Sequence, residues 1–264
     1  MSLATPIPWN VVAEGYDSTT RHALAAFAQQ ALDWVDPAAD ARVLDVACGP
    51  GTLTVLAAAR ASRVLAVDFS EAMLTLCRRH TAGLDNVEVR QADGQALGID
   101  AAFDVAFSMF GLIFFPDRAA GFRSLRAALV PGGVAAVSCW SPPSRSTAML
   151  VAIAALGAAF PDAPEPEPPL SPLSSAAQLR LELEQAGFVD VEVREVITTV
   201  QPDIESFWRG IAEGYAPLAV ARQTMPPEVW AAAEARGLAW LRANHNPSVP
   251  LSYVAHIGRG TRPA

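Results

Sequence analysis

Residues 43–51 read VLDVACGPG. The apolar run predicts a buried strand, yet it carries Asp45 in its middle, and an unpaired carboxylate away from water is costly. The chain then turns through Gly49 and Gly51 around Pro50. A simple turn does not need two glycines so close together. The stretch therefore predicts a site at a strand end, where backbone amides and the start of a helix favour a polar or anionic ligand group. Gly49 and Gly51 would let the backbone approach that ligand closely.

Outward from this turn, residues 42–140 alternate short β-rich runs with helical stretches. RVLDVA, RVLAVD, VEVRQ, FDVAFSM and VAAVSCW are the strands. TLTVLAAARA follows the glycine turn as a helix, and Ser70 is placed to cap EAMLTLCRRH. A further helix over about 118–130 closes at Pro131-Gly132-Gly133. Apolar strands alternating with helices predict a parallel sheet covered on both faces. After Trp140 come an uncharged helix (148–160) and PDAPEPEPPLSP (161–172), read as a semi-rigid spacer. A helix over 175–186 stopped by Gly187, the strand VDVEVREVITTV, helical stretches at about 203–222 and 227–243, and a last strand in LSYVAHIGRG complete the chain. The expectation is an α/β domain over 1–264. Its core spans 40–140, 175–202 and 250–260, and helical lid elements occupy 1–35, 146–172 and 203–244.

Composition narrows the partners. The net charge is -8, with 52% hydrophobic and 17% charged residues. No Lys/Arg cluster offers a footprint for nucleic acid. The odd set Cys48, Cys77 and Cys139 reads as reduced thiols of a cytoplasmic protein. MSLATPIPWN lacks the basic and apolar regions of an export signal. The apolar run 148–160 is too short for a bilayer, which needs about 20 residues.

Two more acids follow the same logic as Asp45. Asp68 ends RVLAVD, where doubly wound nucleotide sites hold ribose hydroxyls, and Asp93 follows the third strand. The three are expected to converge on one crevice. A dinucleotide fingerprint needs G-x-G-x-x-G/A, but the sixth position here is Thr54. The acid pattern survives without the pyrophosphate loop, which favours a nucleoside ligand lacking a diphosphate.

These segments resemble the class I S-adenosylmethionine-dependent methyltransferases. DVACGPG looks like that family's glycine motif, AVDFSEAML its acidic second motif and QADGQAL its adenine-contacting third. FDVAFSMFGLIFFPD and LVPGGVAAVSCW are similar to the fourth-strand motif and the turn before strand five. Within the family the likeness is greatest to the ubiquinone- and menaquinone-biosynthesis C-methyltransferase branch and its small-molecule relatives, and VVAEGYD (11–17) resembles its lid segment. The resemblance implies a Rossmann-like doubly wound, mostly parallel seven-stranded sheet with one antiparallel strand and a helical lid.

It also implies roles. The main chain at Ala47, Cys48 and Gly49 would meet the methionine portion of S-adenosyl-L-methionine, Gly51 would shape the turn, and Asp45 would lie near the ammonium. Asp68 would hold the ribose. Phe69 and Met73 would pack the adenine, although a methionine at helical spacing is also ordinary core filler. Asp93, Gly94 and Gln95 would meet the amino edge of the base, Ser108 and Phe110 would border the sulfonium, and Tyr16 would close over the cofactor. Trp9 would help Tyr16 or anchor the N-terminal segment.

A sulfonium is an activated methyl donor, so holding the acceptor in line is the protein's main task. No metal-binding cluster is visible, and His22, His80, His245 and His256 are scattered, so no residue is assigned a catalytic role. Aromatics near the ends of strands four and five (Phe110, Phe114, Phe115, Trp140) and on a lid helix (Phe207, Trp208, Tyr215) suggest a planar or lipophilic acceptor. The partners expected are this small molecule and a second copy of the chain, without nucleic acid or a membrane span. A non-catalytic S-adenosylmethionine-binding protein and an NAD-dependent oxidoreductase are the competing readings.

Overall fold

The computed structural model describes residues 2–163 and 173–264. Most of the proline-rich spacer, residues 164–172, lies outside the described residues. The strand runs predicted from the sequence form β1 (Arg42–Val46), β2 (Arg63–Asp68), β3 (Val87–Gln91), β4 (Phe103–Met109), β5 (Leu129–Trp140), β6 (Val189–Val200) and β7 (Leu251–Thr261). They make one seven-stranded sheet in the order β3-β2-β1-β4-β5-β7-β6, parallel except for β7, which runs antiparallel to both neighbours. The reversal of strand order beside β1 opens a crevice at the carboxyl ends of β1 and β4, the usual ligand position in open α/β sheets.

Helices cover both faces. Ten are described: α1 (Pro6–Ser18), α2 (Thr20–Val35), α3 (Thr52–Ala58), α4 (Glu71–His80), α5 (Arg118–Ala128), α6 (Thr147–Ala159), α7 (Ala176–Gln185), α8 (Ile204–Gly214), α9 (Ala216–Thr224) and α10 (Pro227–Asn244). Adjacent residues of β7 show the two-sided cover, because side chains alternate along a strand. A side chain at Gly258 would run into Leu179 and Leu183 of α7, whereas Arg259 donates to the carbonyl of Trp34 on α2. Between these layers lies a core of Val43, Leu44, Val46, Phe107, Phe122, Leu125, Val137 and Ile257.

A second core lies beyond the sheet. Ala148, Ala155 and Ala159 of α6, Phe207 and Trp208 of α8, and Trp230, Ala233 and Leu241 of α10 bury one another and Leu251. Gly237 is required here, since a methyl group at that position would overlap the Trp208 ring. α1 bridges this unit to the sheet: Val12 and Ala13 pack on Met73 and Leu76 of α4 and on Ala216 of α9.

The structure corrects three boundaries. The single helix expected over about 203–222 is two, α8 and α9, broken at Tyr215 in an extended conformation (φ -96, ψ 109). Pro217 explains the break: in a continuous helix its ring would clash with the carbonyl of Glu213 and it could not donate to it, whereas in the first turn of a new helix neither matters. The helix expected to end at about 130 stops at Ala128, and β5 begins at Leu129 and runs through the Pro131-Gly132-Gly133 bend, with a register shift between Phe103 and Val105 of β4. α3 is shorter than TLTVLAAARA, ending at Ala58.

The docking of α1 on α8 leaves no room for a side chain at Gly15, whose added methyl would overlap the backbone carbonyl of Glu213. Alanine gains up to about 1 kcal/mol over glycine in a helix interior, but overpacking costs typically about 1–3 kcal/mol. Gly15→Ala should therefore lower the chemical-denaturation midpoint and expose α1 to protease. An unchanged or raised midpoint would show that α1 and α8 are not in close backbone contact.

Candidate functional site

The turn after β1 is left-handed three times: Ala47 (φ 56), Gly49 (φ 55) and Gly51 (φ 87). Ala47 adopts this geometry against its preference, at roughly 1–2 kcal/mol. The two glycines serve different ends. A side chain at Gly51 would press on Cys77 Sγ at 2.8 Å, so Gly51 lets α4 pack close to the turn, whereas an added Cβ at Gly49 meets nothing within 4 Å. The backbone at Gly49 is thus open to a ligand.

Two carboxylates organise the turn. Asp68 is buried at the end of β2; one oxygen accepts from Gly49 N at 2.9 Å and the other from Ser70 N at 2.9 Å. Ser70 caps α4 by accepting from Met73 N at 3.2 Å and donates to Asn10 Oδ1 of α1 at 2.7 Å. Asp45 lies within β1, aligned with Ala66 and Phe107, rather than beyond the strand end. Its side chain accepts the Thr54 hydroxyl of α3 at 2.6 Å. This answers the puzzle of an acid in an apolar strand: one hydrogen bond offsets part of its burial. The rest is visible in its proton affinity. Burial, with Asp68 nearby, pushes the Asp45 carboxyl up to about 7 despite the Thr54 bond. Burial pushes Asp68 up to about 6, opposed by the N–H groups it accepts. Neither meets a side-chain cation among the described residues. Buried carboxyls with raised proton affinity beside a crevice make this the candidate site of the chain.

The crevice is walled by Asp45, Ala47, Cys48, Gly49, Pro50, Thr52 and Leu53 below, Met109 and Phe110 at the side, and Tyr16, Leu24 and Ala28 of α1 and α2 above. In this arrangement its volume is about 40 Å³, room for a few waters. A nucleoside-sized ligand needs α1 and α2 to shift outward. Tyr16 has a hydroxyl with no hydrogen-bond partner among the described residues, and burial and the nearby Asp68 raise its pKa. A larger groove of about 540 Å³ between residues 95–100 and α5 is open and carries none of this chemistry.

The remaining expected residues separate. Phe69 is half-buried beside Asp68, its carbonyl accepting from Gln91 Nε2 at 3.0 Å. Ser108 is buried at the end of β4, its hydroxyl unpartnered. Met73 is buried against α1. Asp93 is exposed, and its carboxylate accepts from Gln95 N at 2.9 Å and Gln95 Nε2 at 3.1 Å. Gly94 is buried where a side chain would strike Phe115 at 2.5 Å. Asp45 therefore lines the crevice, Asp68 lies behind Gly49 beside it, and Asp93 is on the exposed loop that follows Ala92, whose N–H bonds the Asp68 carbonyl. Among the aromatics, Phe110 stacks on Trp140 at 4.2 Å and both meet Phe27 edge-on. Phe114 instead meets Trp9, whose Nε1 donates to the Leu3 carbonyl, which makes Trp9 an anchor of the N-terminal segment.

Sequence reasoning missed Thr54, Asn10, Leu24 and Ala28. Thr54 stood in plain view as the residue spoiling the third-glycine position, and its hydroxyl is what Asp45 uses. Asn10, Leu24 and Ala28 belong to helices whose docking carries no local sequence signal.

Residues 43–133 match the family model described as a methyltransferase domain, and the motif resemblance holds over that stretch. The chain is 40% identical over 110 residues to a demethylmenaquinone methyltransferase of Clavibacter sepedonicus, covering 41% of this chain and 45% of that protein. It is 34% identical over 122 residues to a 2-phytyl-1,4-naphthoquinone methyltransferase of Thermosynechococcus vestitus, covering 45% and 54%. The chain thus spans about half the length of the curated relatives it matches. A solved structure of a proposed methyltransferase from Bacillus halodurans superimposes with a TM-score of 0.60 at 18% identity, covering 90% of this chain and 99% of that one, which shows the shared fold.

The raised Asp45 and Asp68 carboxyls fix the sign of one pH effect. A carboxyl whose pKa is higher in the folded than in the unfolded chain binds more protons when folded, so its contribution to stability is lost as pH rises from about 4 to 7. Asp45→Asn keeps an acceptor for Thr54 and removes the charge. It should raise stability at pH 8 by at least about 1 kcal/mol and have little effect at pH 4. Urea denaturation at the two pH values measures this; equal effects at both would show that Asp45 ionises in the fold as it does in the unfolded chain.

Proposed function

We propose that the chain, whose residues 43–133 form a methyltransferase domain, binds S-adenosyl-L-methionine in the crevice above β1 and transfers its methyl group to a small planar, quinone-type molecule. The observation that carries this reading is the pair of buried carboxylates, Asp45 and Asp68, beside a backbone left open at Gly49. The chemistry of the residues fits the group. Asp45 lacks a cation and suits an ammonium. Asp68 uses one lone pair of each oxygen on Gly49 and Ser70, which leaves acceptor capacity for ribose hydroxyls. When bound, the cofactor supplies an activated methyl group on a positively charged sulfur.

The chain's own residues bind, orient and exclude water. Ala47, Cys48 and Gly49 present main chain to the amino-acid portion, with Gly51 holding the turn against α4. Phe69 covers one face of the base, and Asp93, Gly94 and Gln95 meet its edge from the loop after β3. Met73 contributes to the base pocket only as α1 moves away from it. Ser108 and Phe110 border the reacting end, and Tyr16 closes over it. The described parts of 1–35, 146–172 and 203–244 make the lid, set on a core of 40–140, 175–202 and 250–260. Thr54 at the third-glycine position weighs against a dinucleotide. The net charge of -8 favours a small acceptor over a polyanion, and three buried free cysteines suit the cytoplasm. Among the described residues no helix is long and apolar enough to cross a membrane.

Calorimetry with S-adenosylhomocysteine against NAD tests the reading. S-adenosylhomocysteine should bind and NAD should not bind at comparable strength; the reverse would sink the assignment. Gly49→Val should cost about 1–3 kcal/mol of stability from its left-handed backbone and lower affinity at least about 100-fold by filling the open approach. Parental affinity in that variant would show that Gly49 serves turn geometry alone.

The ammonium assignment has its own test. An ammonium favours the ionised form of Asp45, so below about pH 7 binding must release a proton. Affinity for S-adenosylhomocysteine should rise with pH through that region, by up to about tenfold per unit, and level off above it. A flat profile, with no proton release between buffers of different ionisation enthalpy, would remove Asp45 from the ammonium.

A further inference from the structure

β6 and β7 run past the end of β5. The β5–β7 ladder reaches Trp140 opposite Ala255, while the β6–β7 ladder continues to Val200 opposite Leu251. The overhang is a two-stranded arm, and its two faces differ. Ile197 on one face is 56% exposed. The other face continues the Trp140 side of the sheet: alternation puts Tyr253, Thr198 and Leu251 there with Ala255, and the Tyr253 ring lies 5.9 Å from Trp140. Tyr253 packs against both the sheet core and the lid core. This face is the seam between them.

One fully buried hydroxyl in this seam lacks a partner, and a second, less buried one stands beside it. Thr198 is 8% exposed, and its Oγ1 is fully buried without a hydrogen bond. Tyr253 stands directly opposite Thr198 in the ladder, and its hydroxyl makes no hydrogen bond among the described residues. Burial raises the pKa of that phenol, so it stays protonated and able to donate. A buried hydroxyl without a partner costs stability, and valine would fill the Thr198 position without that cost. The seam also leads back to the reacting end of the crevice: Phe110, which borders the crevice, stacks on Trp140, and Trp140 meets Tyr253.

We infer that Thr198 and Tyr253 are the specificity-determining polar edge of the acceptor site, hydrogen-bonding a ring oxygen of a planar aromatic or quinoid molecule that lies along Phe110 and Trp140. This rests on the methyl-transfer reading above. The two hydroxyls hold the ring in one orientation and select an oxygenated acceptor over a bare hydrocarbon, because a site built to hydrogen-bond a substrate hydroxyl rejects an analogue lacking it.

The test titrates 1-naphthol and naphthalene into the wild-type chain, Thr198→Val and Tyr253→Phe, each saturated with S-adenosylhomocysteine, whose own affinity is measured first. The wild type should bind 1-naphthol more tightly than naphthalene. Each variant should weaken 1-naphthol about tenfold, with naphthalene and S-adenosylhomocysteine unchanged. Thr198→Val should melt at the same or a higher temperature than the wild type without the probe, which a structural hydroxyl would not allow. Equal wild-type affinity for the two probes, unchanged 1-naphthol binding in both variants, or parallel weakening of naphthalene would overturn the assignment while S-adenosylhomocysteine still binds. Failure of S-adenosylhomocysteine to bind the wild type would instead overturn the cofactor reading, and this one with it.

Discussion

Two carboxylates held out of water, Asp45 and Asp68, constrain the rest of the site. Each needs hydrogen-bond donors at a fixed place, and the surrounding chain is shaped to deliver them. Thr54 supplies one donor from the first helical turns of α3, so the length of the glycine turn is set by the reach from β1 to that hydroxyl. Gly49 and Ser70 supply the others from two separate loops, so Asp68 ties the turn after β1 to the turn after β2. The bonds go further, through Ser70 to Asn10. The seat of α1 and the geometry of the glycine turn are therefore parts of one hydrogen-bonded network, and a helix remote in sequence senses the shape of the crevice.

The parts of this design that were legible in the sequence are those that local chemistry determines. β1, the glycine turn, Asp68 at the end of β2 and Ser70 as a cap each follow from the preferences of a few adjacent residues. Gly187 stops α7 with φ 88, as a left-handed terminus requires. What could not be read depends on residues far apart. Nothing near Gly15 announces that it lies against the carbonyl of Glu213. Asp93 has the spacing of its two partners, yet Gln95 turns its carboxylate toward its own loop. The break at Tyr215 has its local signal in Pro217, which cannot sit inside a continuous helix. Thr54 was counted as the loss of a glycine when it is the gain of a donor.

The lid is a unit with its own core. α6 carries no charge, and its buried alanines let α10 approach closely, while Trp208 of α8 fills the notch at Gly237. Short helices of this kind owe their stability to packing rather than propensity. The unit is anchored on the sheet through Leu251, Val200 and Tyr253, and through the hydroxyls of Ser146 and Thr147 on β7.

Opening cannot be confined to one side of the crevice. α1 roofs the crevice through Tyr16, yet it is also packed on the other lid unit: Gly15 lies against the Glu213 carbonyl, while Thr20 of α2 lies against Gly214. The Gly15 contact is to backbone, so a displacement of α1 there is passed on to α8. On the α4 side, α1 is held both by the packing of Val12 and Ala13 on Met73 and Leu76 and by polar links: Asn10 on Ser70, and Asp17 on Arg79 at 2.9 Å and His80 at 2.7 Å. Exposed ion pairs contribute about 0–1 kcal/mol, and Arg79 is largely exposed although Asp17 is not. The chain leaves helical geometry at Thr19, between α1 and α2 (φ -124, ψ -69), where Thr20 donates to the Gly214 carbonyl. Any displacement of Tyr16 from the crevice therefore has to break packing on both the α4 and the α8 sides of α1.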